Sequence, residues 1–315
     1  MSLADPDTPA AGLRAAAWAL CGVGLAALFI GVTSGPPLGG IFVMGGLAAI
    51  IVGLAAAAGQ QLIARRTRPA QQYQGPAPLI LFFLQFALVN AISLVIYVVG
   101  VPLADSTVGF LAAAIVLLVG YVTVVWLFVV RAGALSWREI VRAQPLDAGR
   151  VALDVAIGAA TMFGVAFVAG ILGTIIANLL GTESPSVVPV PTTGIEILLV
   201  ALGACVLVPI GEELFFRGFA LTAWLRDLGE RSALIRVTVF FALAHIVTLS
   251  SDTFIGGVKQ AILVLVVIGP VGLALGWLYL RRGLVASIAG HAAFNLFGVI
   301  VIVLAQYLPT PGTGS

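Results

Sequence analysis

Two adjacent carboxylates and an arginine, in the stretch Glu212-Glu213-Leu214-Phe215-Phe216-Arg217, lie inside a long apolar run between Gly211 and Gly218. The only 2 histidines of the chain lie in apolar runs of their own, as Phe241-Ala242-Leu243-Ala244-His245 and His291-Ala292-Ala293-Phe294-Asn295. One charged residue at the centre of a membrane helix costs roughly 2.5–3.5 kcal/mol on insertion scales. Three of them within two turns therefore need mutual pairing, a polar cavity or a chemical task. On a helix, Glu213 and Arg217 are i,i+4 neighbours in the orientation that favours an ion pair. Glu212 lies about 100° round the helix and faces another surface. One carboxylate can thus neutralise the arginine while the other stays available, although adjacency alone does not say which of them holds a water. Taken singly, each motif also has a packing role: a buried ion cluster, a histidine fixed by Phe241 at i−4, or an asparagine that joins helices.

Together the residue types suggest one chemistry. A carboxylate in a low-dielectric cavity is a stronger base than in water, which suits general-base work near neutral pH, and a nearby arginine opposes that gain. A carboxylate and an imidazole can hold and deprotonate a water, while a second imidazole with an Asn amide supplies donors to a developing oxyanion. This is a toolkit for hydrolysing an amide without a covalent intermediate. No Ser or Cys stands in a recognisable nucleophile setting.

The elements that must position these residues are membrane helices. The chain has 315 residues, 61% hydrophobic and 9% charged, against roughly 25% charged in soluble domains. Its apolar runs far exceed the roughly ten residues of a membrane β-strand, so the expected class is all-α and polytopic. A net charge of +2 with scattered arginines leaves no nucleic-acid footprint. Of the 15 basic residues only Lys259 is a lysine, a composition typical of a GC-rich bacterial gene. Cys21 and Cys205 fall inside spans and read as small buried hydrophobes.

Hydropathy predicts nine spans, over residues 15–32, 41–63, 79–101, 108–130, 151–180, 195–224, 233–249, 258–280 and 284–308. The domain reading is a disordered segment 1–13, an N-terminal transmembrane extension of about four helices over 14–134, a core over 135–308, and a short tail 309–315. Residues 135–141 read as an interfacial helix with Ser136 as its N-cap. Nearly all link arginines follow the second, fourth, sixth and eighth spans. The positive-inside rule then puts the N-terminus in the cytoplasm and the C-terminus outside a cell membrane. By helical rise, His245 and His291 each lie roughly 13 Å from a cytoplasmic-side arginine, Arg236 and Arg282, and Glu212 roughly 21 Å from Arg226. The three motifs share a depth, which favours one site.

The three motifs, in their order and on three helices, resemble the EExxxR, FxxxH and HxxxN motifs of the CPBP family of intramembrane proteases. That family covers type II CAAX prenyl proteases and bacteriocin-processing or immunity-associated (Abi) proteins, and the similarity extends over roughly residues 140–305. The resemblance implies that Glu212 is the water-activating base assisted by His245. It implies an oxyanion pocket of His291 and Asn295, with Glu213 and Arg217 as a supporting pair beside Phe241. It also implies a glutamic peptidase without cofactor. The family's older zinc reading would use Glu212, His245 and His291 as ligands. The expected partners are a peptide or membrane-protein substrate and the lipid bilayer, with no nucleic acid. The competing expectations are a proton-coupled transporter, for which no inverted repeat is visible, and a non-catalytic immunity or scaffold protein.

Overall fold

Apolar runs in a bilayer must satisfy their backbone hydrogen bonds internally, and helices do so. The computed structural model describes residues 8–35, 37–101, 106–142, 147–183, 188–249 and 251–306, and among them every regular element is helical. In chain order these are α1 (Thr8–Thr33), α2 (Leu38–Arg65), α3 (Pro78–Val98), α4 (Thr107–Val130), α5 (Trp137–Val141), α6 (Ala148–Leu180), α7 (Gly194–Leu228), α8 (Glu230–Ile246), α9 (Phe254–Arg282) and α10 (Leu284–Ala305). The protein is an all-α, multi-pass membrane protein.

Eight of these helices are long and apolar enough to cross a membrane. The seventh expected span, over residues 233–249, is α8, which has only 17 residues. That is roughly 25 Å of helix against roughly 30 Å of hydrocarbon, and its first turns carry Glu230, Arg231 and Arg236. Helix α1 starts at Thr8, so residues 8–13 of the segment 1–13 expected to be disordered are helical. Pro9 is tolerated in a first turn, and the alanines that follow are strong helix formers. Residues 1–7, Asp105 and the tail 309–315 lie outside the described residues. Cys21 and Cys205 are free thiols, half-buried where full burial was expected.

Helix α7 organises the interior. Every residue from Leu214 to Leu221 is buried. Phe215 packs on Tyr121 of α4 with ring centroids 4.6 Å apart, and Phe216 meets Phe240 and Phe241 of α8 at 5.1 Å each. Phe82 of α3 closes the cluster against Phe240 at 5.2 Å. Two stretches of α7, Gly203–Leu207 and Leu214–Leu221, are π-helical. Such turns widen a helix locally and are frequent at functional sites.

Helix α5 caps this interior at one end. Ser136 and Glu139 form a capping box, which satisfies two otherwise orphaned N–H groups. Arg226 of α7 donates to Glu139 and to the Ala134 carbonyl, the latter at 3.2 Å. Tyr279 of α9 donates its hydroxyl to the Ile140 carbonyl at 2.9 Å. Gly218 allows this approach, since a Cβ there would stand 2.7 Å from Ile140 Cγ2. Asp227 holds the α2–α3 link by accepting the Tyr73 N–H at 3.0 Å. Asp154 of α6 pairs with Arg282 of α9 at 2.8 Å. Charges at the ends of α6, α7 and α9 thus tie together helices that surround the site.

Candidate active site

Glu213 is the hub. Its carboxylate is fully buried, and its Oε1 accepts from Arg217 Nη1 at 2.7 Å and from His291 Nδ1 at 2.8 Å. Ser287 of α10 donates its hydroxyl to Oε2 and also lies 3.1 Å from the Leu275 carbonyl. The Arg217 side chain is likewise fully buried. Its Nη2 donates to the Gly272 carbonyl of α9 at 3.2 Å, and its guanidinium carbon sits 4.1 Å from the Phe241 ring centroid. A buried ion pair persists only when further hydrogen bonds satisfy both partners. Here they come from α9 and α10, with the aromatic face of Phe241 adding a cation–π contact.

Glu212 is held differently. Its side chain is 14% exposed, and Oε2 is buried with no hydrogen-bond partner. Two imidazole nitrogens face that oxygen, His291 Nε2 at 3.9 Å and His245 Nε2 at 4.0 Å. The His245 Nδ1 lies 2.8 Å from the Phe241 carbonyl, an atom that can only accept, so Nδ1 carries the hydrogen. The Phe241 ring stands 4.5 Å from the His245 ring by centroids, fixing its plane. Phe241 therefore steadies both His245 and Arg217.

Asn295 lies one turn beyond His291 on α10 and donates Nδ2–H to the Ala204 carbonyl of α7 at 2.6 Å. That carbonyl lacks a helical donor for a readable reason. In the π-turn, the Val208 N–H reaches back five residues to the Gly203 carbonyl. The next donor in that register would be Pro209, which has no N–H. Asn295 fills the gap, and its second N–H and its oxygen remain for other partners.

The structure thus brings Glu212, Glu213, Arg217, Phe241, His245 and His291 into one cluster, with Asn295 at its edge. Ser287 belongs to it and was not among the sequence candidates. The signal was its spacing, since Ser287, His291 and Asn295 fall at i, i+4 and i+8 on one face of α10.

Residues 194–297 match the family model described as type II CAAX prenyl endopeptidase Rce1-like. The site region is similar to that family. The matched segment runs from the start of α7 into α10 and carries every polar residue of the cluster, whereas α5 and α6 precede it. The match supports the CPBP and CAAX protease resemblance and an endopeptidase activity in a membrane. A comparison with curated proteins and with solved structures finds no match.

A metal here would be held by Glu212, His245 and His291. Each imidazole has its Nδ1 engaged and its Nε2 turned to a carboxylate, as around metal-bound histidines. The separations of 3.9 and 4.0 Å nevertheless exceed the roughly 3.3 Å between ligands of a tetrahedral ion at ~2.0–2.1 Å. Among the described residues no group of three His, Cys, Asp or Glu side chains could hold a metal ion. As placed, Glu212, His245 and His291 do not fit zinc.

Proposed function

We propose that the chain is an intramembrane endopeptidase in which Glu212, assisted by His245, activates a water that attacks the peptide carbonyl. The observation that carries this reading is the orphaned Glu212 Oε2, faced by two Nε2 atoms at 3.9 and 4.0 Å. These are three acceptors with no donor among them while both rings are uncharged. A water at their centre donates to two of them, and the third needs one further proton. Charge bookkeeping agrees. Two glutamates and one arginine leave the cluster at −1 with neutral imidazoles, so one added proton makes it neutral in a low-dielectric setting.

Water attack forms a C–O bond and releases the water's proton to Glu212 or to an imidazole. The C–N bond then breaks as the amine nitrogen takes that proton. Asn295 and, once it has taken a proton, His291 flank the place where the carbonyl oxygen gains charge, and donors aimed there are worth roughly 10²–10³ in kcat. The reaction needs no cofactor. The substrate is a membrane-associated or C-terminal peptide segment, and the family description points to a lipid-modified C-terminus. The arginine-rich links favour a cytoplasmic N-terminus in a cell membrane, and nine crossings would put the C-terminus outside.

Comparative peptidomics of membranes carrying the wild-type chain or Glu212→Ala tests this. Cleavage products should be present with the first and absent with the second at equal protein level. The same products at the same abundance in both would sink the mechanism.

A further inference from the structure

We propose that Ser287 is a positioning residue that keeps Glu213 turned so as to lock His291 in one tautomer, with the proton on Nδ1 and a bare Nε2 facing Glu212. Arg217 is always protonated, so the Glu213 Oε1 that accepts from it at 2.7 Å is an acceptor and not a hydroxyl. The same oxygen lies 2.8 Å from His291 Nδ1, which leaves Nδ1 as the donor in that contact. An uncharged ring carries one N–H, so Nε2 is then a lone pair. Glu213 reaches this position with its second oxygen held by Ser287, a fully buried side chain on the helix that carries His291. Ser287 is itself placed one turn from His291 and within 3.1 Å of the Leu275 carbonyl. Without its hydroxyl the fully buried Glu213 Oε2 loses its Ser287 donor.

The consequence deepens the peptidase reading on which its catalytic meaning rests. His291 enters the reaction as a proton acceptor and not as an oxyanion donor. When water attacks and the new C–O bond forms, the released proton reaches Nε2 directly or through Glu212. Only the resulting imidazolium, its Nδ1–H still on Glu213, presents an Nε2–H to the oxyanion. That proton leaves with the amine when the C–N bond breaks, and the bare Nε2 returns.

With 2 histidines in the chain, ¹⁵N-histidine labelling gives a two-ring NMR spectrum, and His245→Gln assigns it. For full-length protein in nanodiscs, with the ring titrated to its uncharged form, His291 should show a protonated Nδ1 and an unprotonated Nε2. Ser287→Ala should convert this single tautomer into a mixture of both, and Ser287→Thr, which restores the hydroxyl, should return it. In turnover, Ser287→Ala should lower kcat by ~10–100-fold with KM unchanged. A wild-type ring protonated on Nε2 overturns the proposal even if Ser287→Ala does not fold. A folded Ser287→Ala with an unaltered His291 spectrum removes Ser287 from the role. The spectrum is read without substrate, so a failure of peptide cleavage leaves it standing, and an Nε2–H ring beside intact cleavage refutes this inference alone.

Discussion

Replacing Arg217 with methionine isolates what holds the centre of α7 together. The guanidinium is fully buried, 2.7 Å from Glu213 Oε1, 3.2 Å from the Gly272 carbonyl and 4.1 Å from the Phe241 ring centroid. Methionine keeps most of the volume and removes the charge. Glu213 is then left as a buried carboxylate with only neutral donors, a situation that costs about 3–5 kcal/mol. At 1.4 kcal/mol per tenfold, the folded population relative to the unfolded should fall by roughly two to three and a half orders of magnitude. The double variant Arg217→Met/Glu213→Gln should recover most of that loss, since a glutamine oxygen still accepts from His291 while its amide N–H donates to the Ser287 hydroxyl, which keeps the Leu275 carbonyl as acceptor, with no unpaired charge. Reversible unfolding in mixed bicelles titrated with SDS measures all three proteins. A single-variant loss below about 1 kcal/mol, the range of an exposed pair, would refute the view that this pair is a sealed interior feature. So would a double variant no better than the single one.

Other expectations concern the site's surroundings. Burial raises the Glu139 carboxyl, but the hydrogen bonds from Ser136 and the Arg226 guanidinium outweigh it and hold the group below its ordinary value of 4.5. A carboxyl depressed in the fold stabilises above its unfolded value and loses that contribution as the pH falls through the folded one. The unfolding midpoint of Glu139→Gln should therefore trail wild type above pH 4.5, the gap closing as the solution is acidified further; a gap that widens in acid would contradict the assignment. Asn295→Ala strands the Ala204 carbonyl and should cost about 1–3 kcal/mol in the same unfolding assay. It should also lower kcat by roughly 10²-fold at constant KM if its free N–H serves the oxyanion. Lost stability with unaltered kcat would leave Asn295 as a helix plug only. Gly218→Val should detach α5, visible as faster proteolysis around residues 131–142, because even a Cβ would stand 2.7 Å from Ile140 Cγ2.

Much of the site could be read from spacing because its partners are close in the chain. Glu213 and Arg217 meet as i,i+4 neighbours, and Ser136 caps α5 with Glu139 three residues on. What could not be read depends on contacts between distant helices. The Gly272 carbonyl that serves Arg217 lies 55 residues away, and the Ser287 hydroxyl that serves Glu213 lies 74 away. The Ala204–Asn295 bond needs a π-turn, which shifts the backbone register so that Pro209 becomes the missing donor. Nothing in a local apolar pattern separates a π-turn from an α-turn. Hydropathy also placed α8 as a full span over residues 233–249, whereas the helix starts earlier, at the charged Glu230, and ends at Ile246. The apolar pattern continues through Val247 and Leu249, which are not helical.

The ladder on α10 also bears on how the molecule can move. Ser287, His291 and Asn295 each hold α7, the first two through Glu213 and the third through the Ala204 carbonyl. Prising α7 from α10 would break three hydrogen bonds at once and expose a charge, so these two helices form a single stiff plate. The other wall of the site is α8, which supplies the buried Phe241 and His245, a ring hydrogen-bonded only to its own helix with a side chain 32% exposed. The cluster is therefore most open at the His245 edge, while the plate keeps Glu212, Glu213 and His291 in a fixed relation.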